Sequence, residues 1–213
     1  MIKIENAETY GFEAAVRGMR NPMNSWSKSD SKWDGFGDAD GYSVGEDDLG
    51  LMKKLVKAGS DHSKFMRMIN VTCDITAPLY WWKEFDTYKV GTVANSCSTM
   101  HKIHDKEFTI DDFSHERLTG GAMVALRSVI VPQLNDDRCK FLESKDKQYW
   151  YNMIQLLPTS YNQRRTVQLN YAVLQNMYHA RKAHKLDEWR DFCKWVLALP
   201  YARDLIEPRE GKK

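Results

Sequence analysis

The chain lacks the features that mark membrane, secreted and metal-binding proteins. None of its apolar runs approaches the roughly 18 residues that cross a bilayer, and Met1–Glu5 has no signal-peptide core. Its four cysteines, Cys73, Cys97, Cys139 and Cys193, are scattered and form no CxxC pair, which argues against zinc and against a disulfide framework. We therefore expect a cytoplasmic protein with reduced thiols and no metal site.

Neither sign of charge predominates. The 31 Lys and Arg residues and the 29 Asp and Glu residues leave a formal net charge of +2. A nucleic-acid or membrane-surface partner would need a clear basic excess. We therefore expect neither partner.

A glycine-rich phosphate-binding motif is missing as well. The segment Asp34–Gly41 does not have the GxGxxG spacing, and no predicted strand leads into it, which excludes a Rossmann site. The same segment misses the ligand spacing of a calcium loop. The sequence offers neither of these two sites.

Aromatic residues, in contrast, are plentiful. They make up 12% of the 213 residues and include seven tryptophans. Such an excess suits stacking sites or large subunit interfaces, although a tryptophan-rich core explains it too. The length is enough for one domain, spanning residues 1–213, with a full hydrophobic core.

Apolar periodicity predicts a mixture of strands and helices. The long polar segment 20–45 is predicted to be a loop that covers a site, reaches a neighbouring subunit or moves at the surface. Pro132 is expected to kink or split the helix that contains it. The predicted strands are 1–6, 66–77 and 165–170, and the predicted helices are 9–19, 46–58, 78–89, 118–143, 145–157, 171–181 and 186–199.

The stretch Pro78–His101 is the most informative part of the chain. An aromatic-rich helix, which begins with proline at its first position, is followed by the small, hydroxyl-rich segment Gly91–Thr99. Such a segment lets a ligand approach the backbone closely. The plainer interpretation is a helix followed by a capped turn.

Part of this stretch resembles a known signature. Asn95–His101 is similar to the second half of R-H-R-x-x-S-x-N-E-x-S-x-R-Y, the signature of flavin-dependent thymidylate synthases, with Asn95 and Ser98 kept. The first half is replaced by Tyr88–Val90, or by Thr87–Lys89 if one residue is inserted.

Two further stretches resemble the same family in the same order. His62 falls on the family's turn histidine, and Ala77-Pro78 falls where the signature helix begins. Near the C-terminus, Leu157-Pro158 and the segment Asn170–Arg181 are similar to L-P followed by a strand and N-x-R-S-L-x-N-x-x-x-x-R. The residues that match this last pattern are Asn170, Leu174, Asn176 and Arg181.

The resemblance implies a fold, a reaction and an assembly. The fold is α+β, a central and mostly antiparallel sheet flanked by helices, in one thymidylate synthase complementing protein-like domain. In this family FAD lies between the subunits of a homotetramer, and reduced flavin passes a one-carbon unit from methylenetetrahydrofolate to dUMP. NADPH supplies the electrons. No enzyme cysteine attacks the base, so Cys97 needs no nucleophilic role.

The resemblance also implies which residues form the flavin site. His62, Asn170 and Asn176 would surround the flavin, with Lys89 beside them, and His62 would take part in catalysis. A lone histidine near a helix end is otherwise a capping or core residue. Two asparagines on a helix can equally belong to a solvated face.

The resemblance also implies which residues bind the substrate. Arg181 would hold and polarise the uracil ring as a catalytic residue, and Asn95, Ser96 and Ser98 would bind the nucleotide. A structural Arg181, paired with Asp187 or Glu188, is the alternative.

Several anion-binding residues of the family are absent. Met100, Ile154 and Ala172 stand where the family has arginine, so two function classes remain open. One is a divergent thymidylate synthase, and the other is a non-catalytic or differently specific nucleotide-binding tetramer. The residues that we expect to compensate for the lost charge are Lys102, Arg164, Arg165 or Lys182.

Overall fold

Six strands and ten α-helices lie within residues 2–35 and 41–208, which are the residues that the computed structural model describes. The mixture of helix and antiparallel sheet confirms the predicted α+β class. In chain order the elements are β1 (Lys3–Tyr10), α1 (Phe12–Arg20), β2 (Lys32–Trp33), β3 (Tyr42–Ser43), α2 (Glu46–Lys57), β4 (Asn70–Pro78), α3 (Leu79–Phe85), β5 (Val93–Ser96), α4 (Thr99–Lys102), α5 (Gly120–Ala125), α6 (Val131–Ser144), α7 (Lys147–Leu156), β6 (Asn162–Asn170), α8 (Tyr171–Arg181), α9 (Asp187–Val196) and α10 (Ala202–Leu205).

The main sheet has four strands in the order β1-β4-β6-β5, and β2 and β3 form a separate antiparallel pair. Most of the segment 34–41, in which a Rossmann site and a calcium loop were excluded, lies outside the described residues. None of the helices within 2–35 and 41–208 is long and apolar enough to cross a membrane.

The chain divides into two compact units. The first unit contains Ile75–Thr87 and Asn95–Arg165, together with the start of the chain. The second unit contains Ile4–Asp74, Tyr88–Ala94 and the chain from Thr166 onward. The candidate residues therefore fall into two groups, and each group is described within its own unit.

Strand β4 shows the strict alternation that its sequence predicts. Val71, Cys73, Ile75 and Ala77 are buried, and the residues between them are half-buried. The strand begins four residues later than predicted, because Lys64–Arg67 forms a 3-10 turn that buries Phe65 and Met66.

The predicted helix 78–89 is shorter in the structure. Helix α3 ends at Phe85 because both the backbone N–H and the hydroxyl of Thr87 bind the carbonyl oxygen of Glu84, at 3.2 and 2.7 Å. The predicted loop 91–99 contains the strand β5, whose four residues are all exposed. A strand with no buried face leaves no periodic signal in the sequence.

In the first unit, Pro132 splits the predicted helix as expected. Helix α6 begins at Val131, directly after a π-turn at Leu126–Ile130. Proline has no N–H to donate and its ring crowds the preceding turn, so the wider turn accommodates it. The buried core under these helices consists of Ile103, Phe108, Phe113, Leu126, Leu134 and Met153.

In the second unit, helix α8 has the limits that the sequence predicts, Tyr171–Arg181. In helix α9, Trp189 and Phe192 are fully buried on the apolar face of the helix. Tyr171 lies edge-on to Phe12 of α1, with ring centroids 5.7 Å apart. This contact packs the beginning of α8 against α1.

The described part of the loop 20–45 is anchored by one carboxylate. Asp48 is fully buried and accepts hydrogen bonds from Arg20 Nε and Ser29 Oγ, each at 2.6 Å. Ser31 binds the same carboxylate through its N–H at 3.2 Å and its hydroxyl at 2.6 Å. Asp30 in turn accepts the backbone N–H of Asp48 at 3.0 Å. These bonds fasten residues 20–31 to helix α2.

Candidate functional site

Helix α8 begins at the candidate cofactor residue Asn170. Its Oδ1 accepts the backbone N–H of Val173 at 3.1 Å, which satisfies one of the free donors of the first helical turn. Within residues 2–35 and 41–208, the amide nitrogen Nδ2 of Asn170 has no hydrogen-bond acceptor. Asn170 therefore caps the helix with one atom and keeps a donor for a ligand on the other.

Gly91 lies against this amide in the left-handed region, with φ +76°. A Cβ added to Gly91 would stand 2.9 Å from Asn170 Nδ2 and 3.0 Å from Val173 Cγ2. Both distances are shorter than an ordinary contact, and the backbone angle disfavours any side chain. The missing side chain therefore lets the exposed backbone of Gly91 lie directly against Asn170 and Val173, and this close contact is called the cradle at Gly91.

Arg181, at the other end of α8, is held by aromatic side chains. Its Nε donates to the hydroxyl of Tyr88 at 2.9 Å. Its guanidinium carbon lies 4.9 Å from the ring centroid of Trp189 and 5.6 Å from that of Tyr88. These cation–π contacts fix the plane of the guanidinium. Asp187 forms an ion pair with Arg190, and Glu188, the other partner expected for a purely structural Arg181, is buried. Arg181 and both carboxylates each make at least one further interaction.

The segment Tyr88–Gly91 is thus attached at both ends, to Arg181 through Tyr88 and to Asn170 through Gly91. Lys89, which lies between these attachments, is exposed. Asn176 is also exposed, on the outer face of α8. The four predicted residues Lys89, Asn170, Asn176 and Arg181 therefore lie in one unit, on α8 and on the segment attached to it.

His62 lies in a different part of the same unit. It is exposed and lines an open groove of about 890 Å³ between α1 and α2. Its backbone N–H donates to the carbonyl of Gly59 at 3.0 Å, within the turn that follows α2. The groove carries lysines and carboxylates in similar numbers, so it has no strong preference for an anion. Its charged lining residues are Arg20, Lys28, Glu46, Asp47, Lys54, Asp61 and Lys64.

The candidate nucleotide residues lie in the first unit. Asn95 and Ser96 are exposed on β5, and the Ser98 hydroxyl accepts the N–H of His101 at 3.0 Å. Ser98 lines a groove of about 480 Å³ together with Lys102. The remaining charged side chains of this groove are Asp105, Lys106, Asp111, Asp112 and Arg164.

The lysines of this groove already have carboxylate partners. Lys102 Nζ lies 3.0 Å from Asp105 Oδ2, and Lys106 forms an ion pair with Asp112. An incoming phosphate would have to compete with these carboxylates for the same cations.

The four cations expected to compensate for lost arginines have different surroundings. Arg165 has its guanidinium carbon 4.2 Å from the Trp82 ring and donates hydrogen bonds to Asp86 at 2.7 Å and to Gln163 at 2.9 Å. It supports the fold. Lys182 lies 5.3 Å from the Tyr178 ring. Only Lys102 and Arg164 line the groove that contains Ser98, in the part of the chain that the structure describes.

Two cysteines are buried, and burial changes the pKa of their thiols. Burial raises the pKa of the Cys73 thiol to about 12 and that of the Cys193 thiol to about 11. Burial therefore favours the protonated form of both thiols.

Sequence reasoning missed the partners of the candidate residues. Tyr88 stands where the resemblance places the family's R-H-R cluster, yet its hydroxyl accepts the Nε–H of Arg181 across 93 positions of sequence. Trp189 is fully buried, and its ring also contacts the guanidinium of Arg181. Gly91 carried a signal, because a lone glycine in a polar stretch often marks close backbone approach, but its neighbour Asn170 was not foreseeable.

Comparison with known proteins identifies the fold of this chain. No family model matches the sequence, and no curated protein does. The structure is similar to flavin-dependent thymidylate synthase ThyX from Helicobacter pylori complexed with FAD and dUMP, with a TM-score of 0.69 and 19% identity. The match covers 96% of this chain and 98% of that chain.

A second structure of thymidylate synthase X from Helicobacter pylori, also with FAD and dUMP, matches with a TM-score of 0.69 and 18% identity. This match covers 97% of this chain and 98% of that one. The chain therefore has the fold of flavin-dependent thymidylate synthases, and the resemblance read from the sequence is confirmed at that level.

Proposed function

We propose that this protein is a divergent flavin-dependent thymidylate synthase that binds FAD and dUMP. It would transfer a one-carbon unit from methylenetetrahydrofolate to dUMP, with NADPH as the source of electrons. The observation that carries the proposal is the cradle at Gly91, where Asn170 keeps an amide donor without an acceptor in the described residues. A carbonyl-rich, planar ligand such as the flavin ring offers the acceptor that this donor needs.

The chemistry of the residues fits a flavin here. Because Gly91 has no side chain, its segment lies directly against Asn170, and the exposed Lys89 on the same segment can meet a phosphate in solvent. Asn176 adds a second amide on α8, and His62 would be the further flavin residue that the resemblance assigns. When bound, the flavin supplies the redox chemistry of the one-carbon transfer.

Arg181 would bind the pyrimidine ring. Its Nε bond to Tyr88 and its ring contacts fix the guanidinium plane, so that orientation is established before the substrate arrives. A guanidinium presents paired N–H donors to a carbonyl edge. Donors held in place this way stabilise the negative charge that develops on the ring during transfer.

The nucleotide phosphate would be bound by the groove at Ser98. Lys102 and Arg164 would supply positive charge in place of the two family arginines at whose positions this chain has Met100 and Ile154. Asn95 and Ser96, exposed on β5, would contact the sugar and base.

One observation favours a second candidate, a nucleotide-binding tetramer that does not catalyse this reaction or takes another ligand. The groove cations Lys102 and Lys106 are paired with Asp105 and Asp112, which lowers the attraction for a doubly charged phosphate. A less charged ligand would suit such a groove better.

Absorption spectroscopy and calorimetry distinguish these candidates. The first candidate predicts a flavin spectrum after incubation with FAD, and saturable binding of dUMP. A protein that stays colourless, with an unchanged melting temperature in FAD, would favour the second. Light scattering tests the homotetramer that both candidates imply, and a mass near 24.8 kDa would contradict it.

A further inference from the structure

We propose that a hollow beside α1, walled by Trp26, Trp33 and Tyr42, binds a small planar heteroaromatic ring that carries an anionic group. This aromatic hollow has a volume of about 200 Å³. It lies apart from the residues assigned above to flavin and nucleotide. Its size admits one ring with a substituent, since pockets for larger ligands begin at about 300 Å³.

The walls of the aromatic hollow expose two indole rings. Trp26 is 51% exposed and Trp33 is 59% exposed, although tryptophan is highly buried on average. Both rings are nevertheless supported. Trp26 Nε1 donates to Asn21 Oδ1 at 2.8 Å, and Trp33 packs against Tyr42 with ring centroids 5.2 Å apart. Fixed and exposed indoles are good surfaces for stacking a planar ring.

The floor of the aromatic hollow is rigid. Ser29 and Ser31 line it, and both donate to the buried carboxylate of Asp48. The Ser31 hydroxyl also accepts the N–H of Gly45 at 2.9 Å, which fastens the far side of the loop. A ligand therefore meets a preformed wall and does not have to order the loop, which lowers the entropic cost of binding.

The charged residues around the aromatic hollow favour a negatively charged ligand. Arg20 is neutralised by Asp48, to which it is bonded at 2.6 Å. Among the described residues, Arg17 and Lys32 remain at the rim with one carboxylate, Glu13, whose side chain is 43% exposed and lies 3.8 Å from Arg17. An ion pair this long and this accessible to solvent is weak, so the described part of the rim is net positive.

A cage of aromatic rings by itself would suit a quaternary ammonium ion. The cations Arg17 and Lys32 oppose that choice and favour a carboxylate or phosphate on the ring. A single heteroaromatic ring with a carboxylate thus satisfies both the stacking walls and the rim.

Titration calorimetry with three probes tests the proposal. Orotate carries the planar ring and the carboxylate, uracil carries the ring alone, and choline carries a positive charge. We expect orotate to bind, and we expect uracil to bind several-fold more weakly because the rim cations no longer contribute. Raising the salt concentration should weaken the binding of orotate but not that of uracil.

Single substitutions test whether orotate binds at the aromatic hollow. Trp33→Ala should weaken orotate by at least about tenfold, because the stacking surface is lost, whereas Trp33→Phe should retain most of the affinity. Arg181→Ala, which alters the nucleotide residue assigned above, should leave orotate binding at the aromatic hollow intact. Both tryptophan variants should melt like the parent chain, since the ring is mostly exposed.

Four results would overturn the proposal. They are no heat from orotate, orotate affinity that survives both Trp26→Ala and Trp33→Ala, tighter binding of choline than of orotate, and a lower mass of the Trp33→Ala variant in light scattering. The last result would make the aromatic hollow a contact between copies of the chain.

Discussion

The surface of α8 and the groove at Ser98 hold their cations in opposite ways. On α8, Arg181 is oriented by a hydroxyl and two aromatic rings. In the groove, Lys102 and Lys106 are paired with carboxylates. Aromatic contacts fix the plane of a guanidinium without cancelling its charge, whereas a carboxylate partner cancels much of the charge of a lysine.

Arg20 shows what a structural arginine looks like in the same protein. It is buried and bonded to a buried carboxylate and to the carbonyl of Ser25. Arg181 is only half-buried and lies at the end of a helix. The contrast supports a ligand role for Arg181 and a fold role for Arg20.

The largest expected effect comes from Arg181. Arg181→Ala should reduce turnover by about 10²–10³-fold, the loss seen when one donor to a developing charge is removed. Arg181→Lys should rescue little, because an ammonium cannot reproduce the paired donors. Steady-state kinetics and melting curves on both variants measure the effect.

The control for Arg181 is Tyr88→Phe, which removes the hydroxyl acceptor and keeps the ring. We expect a smaller loss of turnover than in Arg181→Ala. If Arg181→Ala lowers the melting temperature and leaves nucleotide affinity unchanged, the residue is structural and the contrast between the two regions disappears.

The next largest effect concerns the structural pair. Asp48→Asn should destabilise the fold by about 3 kcal/mol, because it leaves the buried guanidinium of Arg20 without its counter-charge. Chemical denaturation gives the free energy of unfolding directly. A loss below about 1 kcal/mol would place this pair among ordinary surface ion pairs.

Asp48 should also make stability depend on pH. Burial by itself raises the pKa of this carboxyl, but hydrogen bonds from Ser29, Ser31 and Arg20 outweigh it and leave the pKa below its usual value. The stabilisation is therefore complete above the unfolded pKa of about 3.9 and is lost as the pH falls through the lower folded pKa. Asp48→Asn should remove this part of the acid dependence, measured as melting temperature against pH.

A third prediction tests the cradle at Gly91. Gly91→Ala should weaken FAD binding by about tenfold or more, because the new Cβ clashes with Asn170 Nδ2 and the left-handed backbone is strained. The matched control is Gly59→Ala. Gly59 also has a positive φ, +104°, but a Cβ there would meet nothing within 4 Å. Equal losses of FAD affinity in both variants would mean that strain, and not the cradle, governs binding.

The smallest expected effect concerns the groove that contains Ser98. Asp105→Asn should raise dUMP affinity a few-fold, because Lys102 loses its carboxylate partner and becomes available to a phosphate. Asp191→Asn is the control, since Asp191 forms a similarly exposed pair with Lys194, three residues away in sequence, at 2.7 Å. Calorimetry that shows no gain for Asp105→Asn would contradict a phosphate role for Lys102.

Local chemistry explains what the sequence could predict. The limits of α8 follow from the cap at Asn170 and from an apolar stripe, both of which are written within a few residues. The contact between Tyr88 and Arg181 joins positions 93 residues apart, and no local pattern encodes it. Asp48 gives no hint of burial either, because an acid in the first turn of a helix is ordinarily a solvated residue that favours the helix dipole.

Equilibrium titration with FAD, followed by flavin fluorescence with and without dUMP, tests the central claim most directly. The account predicts saturable binding by the parent chain and by Gly59→Ala, and much weaker binding by Gly91→Ala. Unchanged fluorescence and an unchanged melting temperature for the parent chain at saturating FAD would contradict it.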